Sequence, residues 1–204
     1  SAAPQIEAAV QSVKDRPNLS QEYQTEAFTQ VLGTHDQEIK ITRGNTQKII
    51  AYGREDELKD LKMSVRNGQL VIDQSREEVN FCLFCINRSI TVEITLPELT
   101  QVDAEHSSEV TVLGFTKQKT LNMNASGAAM ISYTGDAETM NIEAAHSSEI
   151  SLTGGATDLT VDISGASSLD AKNFVVIKST KIIAEHSSEA QFSGRGTSLT
   201  ADVS

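Results

Sequence analysis

The sequence predicts an all-β protein in which N-terminal antiparallel or β-solenoid-like strands precede a single-stranded, right-handed β-solenoid with coils of about 20 residues. From Phe28 onward apolar and polar residues alternate, which is typical of strands with one face in water. The tetrapeptide His-Ser-Ser-Glu recurs at residues 106–109, 146–149 and 186–189. Small-residue corners at Gly127 and Gly165 halve these intervals, so the structural unit is one coil and the tetrapeptide marks every second coil.

The N-terminal part divides into two segments. Residues 1–22 are expected to form a tail or a short helix, because the helical period of residues 5–14 does not continue. Residues 23–100 form a β region, in which Asn67-Gly68 supplies the two positive φ angles of a type I′ hairpin turn. Its alternating apolar runs are Ile39/Ile41, Ile49/Ala51, Met63/Val65, Leu70/Ile72 and Ile90/Val92/Ile94/Leu96.

Residues 101–204 form the solenoid repeats, and residues 23–204 are expected to be one continuous domain. Each unit has two short strands and a tight corner, which is too little to bury its own apolar face, so the units must stack. The five predicted inward columns are Leu121/Met140/Leu159, Val102/Met123/Ile142/Val161/Ile182, Ala104/Ala125/Ala144/Ile163/Ala184, Val110/Ile131/Ile150/Leu169/Ala190 and Val112/Tyr133/Leu152/Ala171/Phe192. Gly114, Gly135, Gly154 and Gly194 close four units, and residues 199–203 match the first strand of a further one.

Charge and hydropathy narrow the function classes. The 204 residues carry a formal charge of −11, which argues against a partner that presents a phosphate backbone or an anionic membrane. No apolar run approaches the ~20 residues of a transmembrane helix. The chain begins at Ser1-Ala2-Ala3 without an initiator Met. Two origins fit this start: export with removal of a signal peptide, or an N-terminus that was trimmed for another reason.

Cys82 and Cys85 are the two cysteines of the chain. In a straight strand their α-carbons would lie ~10 Å apart, too far for a disulfide, so a bridge requires a turn between them. A structural disulfide in an oxidising compartment is favoured, with two free core thiols as the alternative.

Several segments occur in a characteristic order: Phe28 before the first strand, residues 39–44 and 49–52, residues 65–72, residues 90–99, and then coils rich in Ser, Gly and Ala such as residues 164–169. In this order, over about residues 25–204, the chain resembles the head GIN domain family of auto-transporter adhesins. The resemblance implies an exported protein of a Gram-negative bacterium, whether periplasmic, associated with the outer membrane or at the cell surface. The resemblance implies no catalytic residues at positions of this chain.

His106, His146 and His186 are candidates for ligand binding or pH sensing. They occupy one column on alternate coils, ~9.6 Å apart, which is too far for one metal ion to join two of them. A site within one coil would need His106 to converge with Glu105 or Glu109, a two-ligand site of poor affinity. The favoured role of these corners is structural, with serine hydroxyls pairing with backbone groups of the turn, and no metal or cofactor is expected.

An outward column holds Asp103, Asn124, Glu143 and Asp162, followed by Ile183. Glu143 and Asp162 would lie about one coil apart, close to the ~5–5.5 Å of a retaining glycosidase pair, although the chain has no Trp to stack on a sugar. A solvated acidic face is favoured, with weak calcium binding by carboxylate and amide oxygens as a lesser alternative.

Three functions follow from this pattern. The favoured one is a non-enzymatic surface module, an adhesin that binds a glycan or a protein through repeated outward faces. The others are a polysaccharide-active enzyme on the same scaffold and a structural unit that self-assembles through its solenoid ends or faces.

Overall fold

The computed structural model describes residues 19–74, 90–192 and 198–203. Its strands are β1 (Leu19–Tyr23), β2 (Gln30–Thr34), β3 (Gln37–Arg43), β4 (Lys48–Gly53), β5 (Leu61–Arg66), β6 (Gln69–Gln74), β7 (Ile90–Leu96), β8 (Gln101–Glu105), β9 (Glu109–Ser126), β10 (Met130–Ala145), β11 (Glu149–Ile163), β12 (Ser168–Ala184), β13 (Glu189–Phe192) and β14 (Ser198–Val203). A short helix, α1 (Glu55–Asp60), connects β4 to β5.

The strands form two faces, which we call sheet I and sheet II. Sheet I contains β1, β4, β7, β3, the first parts of β9 to β12, and β13. Sheet II contains β5, β6, β2, β8, the last parts of β9 to β12, and β14. Since each of the strands β9 to β12 contributes to both sheets, one such strand runs from one face of the stack to the other.

Neighbouring coils are paired in parallel register throughout the repeats. Val110 pairs with Ile131, Ile131 with Ile150, and Ile150 with Leu169. The members of the five predicted inward columns are buried, none more than 7% exposed, except Ala190 and Phe192. Those two lie on β13, which pairs only with β12 in the described part of the chain, and they are half-buried. The predicted β-solenoid of stacked coils is therefore confirmed.

The N-terminal coils do not stack in chain order. β2 lies between β6 and β8, and β3 lies between β7 and β9, with parallel pairing on both sides. The coil formed by β2 and β3 is thus inserted between two coils that come later in the sequence. β5 pairs antiparallel with β6, β4 with β7, and β1 with β4, so antiparallel strands cover this end of the stack.

The predicted hairpin is present at Asn67 and Gly68, whose φ angles of 51° and 78° connect β5 to β6. The strand β1 begins at Leu19, so residues 19–22 belong to a strand and not to the expected tail or short helix. The strand β1 pairs antiparallel with β4, but most of its side chains are exposed. Its sequence therefore has no alternation of apolar and polar residues from which a strand could be predicted.

Several sequence features lie outside the described residues: Cys82, Cys85, Gly194 and residues 1–18 of the expected N-terminal tail or short helix. The disulfide between the two cysteines remains a prediction. The strand expected at residues 199–203 is present as β14, which pairs in parallel with β12.

Candidate functional site

Each repeat passes from sheet II to sheet I through a corner with two successive residues of positive φ. His106 and Ser107 have φ angles of 51° and 65°, and Gly127 and Ala128 have angles of 64° and 63°. The same pairing occurs at His146/Ser147, Gly165/Ala166 and His186/Ser187. For a residue with a side chain this conformation costs roughly 1–2 kcal/mol, so the corners need compensating interactions.

The second serine of each tetrapeptide supplies such an interaction. The Ser108 hydroxyl donates a hydrogen bond to the Gly33 carbonyl at 3.2 Å, and the Ser148 hydroxyl donates to the Ala125 carbonyl at 2.9 Å. The Ser188 hydroxyl donates to the Ile163 carbonyl at 3.0 Å. Each of these acceptors belongs to the adjacent coil and not to the turn itself, so these serines connect successive coils.

Two of the corners favour glycine for a steric reason. A Cβ atom at Gly127 would lie 3.2 Å from the backbone nitrogen of His106, and one at Gly165 would lie 3.1 Å from that of His146. Both distances are tighter than ordinary van der Waals contact, so a side chain at either position would require the adjacent coil to shift.

The fourth histidine of the chain, His35, lies at the equivalent corner between β2 and β3 and has a φ of 65°. Its ring stacks on that of His106, with ring centroids 5.4 Å apart and planes inclined by 16°. The sequence pattern does not single out His35, because Thr34-His35-Asp36-Gln37-Glu38 lacks the two serines. The shared signal is the spacing His-x-x-Glu before an alternating apolar run, which His35/Glu38 and His106/Glu109 have in common.

The predicted outward column lies on the outer face of sheet II. Asp103 pairs in register with Asn124, Asn124 with Glu143, and Glu143 with Asp162. Ile183 follows, paired with Asp162. The four predicted polar residues of this column therefore lie on one face, whereas His106, His146 and His186 lie along the corner edge.

Asp103 is the most highly connected polar group of this face. Its Oδ2 accepts hydrogen bonds from the Gln69 amide at 2.5 Å and the Gln101 amide at 2.7 Å, and its Oδ1 accepts one from the Asn124 amide at 2.6 Å. The donors come from β6, β8 and β9. A calcium ion at this carboxylate would have to displace N–H donors that already occupy both oxygens, which argues against the calcium alternative at Asp103.

Beside Asp103 runs a column of amide side chains, here called the amide ladder, in which five successive coils carry Gln or Asn in paired positions. Asn141 donates a hydrogen bond to Asn122 at 2.9 Å, and all five side chains are half-buried. The members are Gln69, Gln30, Gln101, Asn122 and Asn141. Sequence spacing shows the last three as regular neighbours of the acidic column, but Gln30 and Gln69 join only through the out-of-order stacking of the N-terminal coils.

A shallow depression of about 510 Å³ lies on this face. Its lining includes Gln30, Gln69, Gln101, Asp103, Asn124 and Glu143. Among the described residues, the outward columns of sheet II contain no Phe or Tyr side chain. The polar side chains share the lining with Leu32 and several alanines, so the depression is a mixed surface that offers hydrogen-bonding groups beside small apolar ones.

The outer face of sheet I carries a second ladder of polar side chains. Thr111, Ser132, Ser151, Asp170 and Gln191 are paired in register. Lys40 continues the column next to Thr111. This face has the same repeat as sheet II but a mixed composition of hydroxyl, acidic and basic groups.

Within residues 19–74, 90–192 and 198–203, no group of three or more His, Cys, Asp or Glu side chains is arranged to hold a metal ion. No described helix has both the length and the apolar character needed to cross a bilayer.

The family model described as "Putative auto-transporter adhesin, head GIN domain" matches residues 27–204. The chain belongs to the head GIN domain family. The resemblance carried by the sequence segments is thereby confirmed, and the match covers the strands from β2 to β14.

Solved structures share the fold of this head GIN domain at low sequence identity. A putative adhesin from Bacteroides fragilis superimposes with a TM-score of 0.75 at 16% identity, covering 93% of this chain and 94% of that one. A putative lipid binding protein from Parabacteroides distasonis gives a TM-score of 0.65 at 13% identity, with 93% and 96% covered. A putative adhesin from Parabacteroides merdae gives 0.60 at 10% identity, with 93% and 95% covered. No curated protein matches the chain.

Proposed function

We propose that the protein is a non-enzymatic, exported module of the cell envelope or cell surface that binds a glycan through the outer face of sheet II. Membership of a family described as adhesins supports a surface role, as do solved neighbours described in the same way. The observation that carries the choice of face is the hydrogen-bonded cluster around Asp103 together with the amide ladder.

The chemistry of this face matches the hydroxyl groups of a sugar. Each hydroxyl donates one hydrogen bond and accepts others, while an amide side chain both donates and accepts and a carboxylate accepts. Because hydrogen bonds between coils already hold Asp103, Asn122 and Asn141 in place, little side-chain entropy remains to be lost on binding.

The repeat of the ladder favours a polymer over a small ligand. Successive coils present similar groups every ~4.8 Å, so a chain of sugars can engage several weak sites at once and gain avidity. The net charge of −11 favours a neutral glycan over an acidic one.

An enzyme that cleaves polysaccharides is the second candidate. Glu143 and Asp162 are directly paired on β10 and β11, at the strand spacing that approaches the separation of retaining glycosidase carboxylates. Both are exposed on the open face, and a general acid normally needs burial to raise its pKa. Binding without cleavage is therefore the better supported function.

A glycan array probed with the full chain tests the proposal. The variant Asn122→Ala/Asn141→Ala should lose array signals that the matched variant Ser132→Ala/Asp170→Ala, on the outer face of sheet I, retains. Equal loss in both variants, or no signal on neutral glycans, contradicts the proposal. A reducing-sugar assay on the same samples tests the enzyme hypothesis. If the wild type releases reducing ends and Glu143→Gln/Asp162→Asn does not, the protein is an enzyme and the binding proposal is wrong. Light scattering of the same samples tests assembly through the solenoid ends.

A further inference from the structure

All four histidines of the chain lie along one edge of the solenoid, at the corners from sheet II to sheet I. They are His35, His106, His146 and His186, each with a positive φ between 51° and 65° and each exposed. Exposed imidazoles in one line place several metal-binding nitrogens on the same edge. Their spacing along the edge decides which of them can act together.

Only His35 and His106 occupy directly adjacent coils. Thr34 and Glu105, the residues that precede them, are paired in register, and the two rings are stacked at 5.4 Å. Glycine corners separate His106 from His146 and His146 from His186, which spaces those pairs by ~9.6 Å. His35 and His106 are therefore close enough to share an ion, whereas the three tetrapeptide histidines are too far apart to do so.

Each ring of the adjacent pair has a carboxylate beside its Nδ1 atom. The His35 Nδ1 lies 3.7 Å from Asp73 Oδ1, and the His106 Nδ1 lies 3.9 Å from Glu105 Oε2. The Thr34 hydroxyl lies 3.1 Å from the His35 Nδ1. Metal-binding histidines commonly direct one nitrogen toward a carboxylate, which favours the tautomer whose other nitrogen carries the free lone pair. In both residues that other nitrogen is Nε2.

We propose that His35 and His106 bind one divalent transition-metal ion through their Nε2 atoms, with Asp73 and Glu105 orienting the two rings. Zn–N bonds of ~2.0–2.1 Å require the two nitrogens to lie within about 4.2 Å of each other, so the rings must tilt toward one another. Both side chains are more than half exposed, which permits this rotation without repacking. Because no third ligand is arranged for the ion among the described residues, the remaining coordination positions stay open to water or to a donor from another molecule.

Imidazole ligands select zinc, copper and nickel, and Cu²⁺ binds most tightly of the divalent series. Cu²⁺ is therefore the probe for this site, and its electron paramagnetic resonance spectrum reports the number of coordinated nitrogens. Zn²⁺ serves as the competing ion.

The test uses asparagine variants of the full chain, because asparagine tolerates the left-handed conformation of these corners. Cu²⁺ is titrated into the wild type, His35→Asn, His106→Asn and two matched controls, His146→Asn and His186→Asn. His186 is the closest control, since its Nδ1 lies 3.8 Å from Glu185 and it has no histidine on an adjacent coil.

The wild type should bind one Cu²⁺ with two coordinated ring nitrogens, displaceable by Zn²⁺. The affinity for Cu²⁺ should fall at least about tenfold in His35→Asn and in His106→Asn, because loss of even a residue that orients a ligand costs about 10–100-fold. The affinity for Cu²⁺ should be unchanged in both controls. Added Zn²⁺ should raise the melting temperature of the wild type but not of His106→Asn. Equal weakening in His186→Asn, or unchanged binding in His35→Asn, overturns the proposal, provided that the metal-free variants melt like the wild type.

Discussion

At the scale of single residues, Gln37 is the least satisfied polar side chain of the described core. It is 1% exposed, and neither its amide nitrogen nor its amide oxygen has a hydrogen-bond partner. It precedes Glu38, which pairs with Glu109, and so lies in the column of the buried Ser108. A buried amide without partners lowers the stability of the fold.

Gln37→Met should therefore raise the free energy of unfolding by about 1–3 kcal/mol, because methionine keeps the length of the side chain and removes both unpaired groups. Urea unfolding measures the effect. The control Gln21→Met, on the exposed strand β1, should change stability by no more than about 0.5 kcal/mol. A loss of stability in Gln37→Met would show that the amide has a polar partner.

Gly165 tests the steric account of the corners. Gly165→Ala should lower stability by about 1–2 kcal/mol, because its φ is 63° and its new Cβ would lie 3.1 Å from the His146 nitrogen. The neighbouring change Ala166→Gly, at a φ of 61°, should be neutral or stabilising by up to about 1 kcal/mol. If Gly165→Ala melts like the wild type, steric contact with the adjacent coil does not explain the glycine at this corner.

Tyr133 links stability to alkaline pH. Burial, and to a lesser extent the charge of Asp136, raises the pKa of its phenol far above the usual range. A raised pKa in the folded state means that the neutral phenol stabilises the protein below the pKa of an unfolded tyrosine, about 10, and that this contribution is lost as pH rises above it.

The unfolding free energy should therefore fall above about pH 10, and fall less steeply in Tyr133→Phe. At neutral pH the variant should be less stable by about 1 kcal/mol, since the Tyr133 hydroxyl no longer donates to the Phe115 carbonyl. Parallel pH profiles for the two proteins would assign the alkaline loss to other groups, such as Tyr23 or Tyr52, whose pKa values are also raised.

At the scale of strands and coils, sequence periodicity predicts the repeats and not the N-terminal stacking. Each coil from β8 to β13 pairs with the coil next to it in sequence, so the apolar columns can be aligned from residue spacing alone. The β2–β3 coil pairs with strands that lie far from it in sequence, and alternation within β2 does not indicate its neighbours. For this reason the sequence alone does not identify Gln30 and Gln69 as site residues.

The register of β11 can be tested at two adjacent positions. Ile150→Asp should unfold the protein or cost several kcal/mol, because Ile150 is fully buried between Ile131 and Leu169 and its replacement would bury an unpaired charge. Ser151→Asn, one residue along on the outer face of sheet I, should change the melting temperature little, since it adds no charge beside Asp170. The register is wrong if the two variants melt alike.

At the scale of the whole molecule, the stack of similar coils determines what kind of binding surface is available. The sequence alone indicates the outward column of Asp103, Asn124, Glu143 and Asp162, because that column follows the repeat. It does not indicate the connections among Asp103, Gln69 and Asn124, since those depend on which coils are adjacent and on the directions of side chains. Neither the sequence nor these connections identify one particular ligand, because the described part of this face has a repeated composition and no enclosed pocket with a distinctive shape.

Successive coils of sheet II are proposed to act together as one extended binding surface. Calorimetry can test this through the dissociation constant of an array-selected neutral glycan over a series of chain lengths. Affinity should rise with each added sugar and level off once the glycan spans the amide ladder, and Asn122→Ala/Asn141→Ala should flatten this dependence. An affinity that is already maximal for a mono- or disaccharide, and that does not change with length, would contradict it.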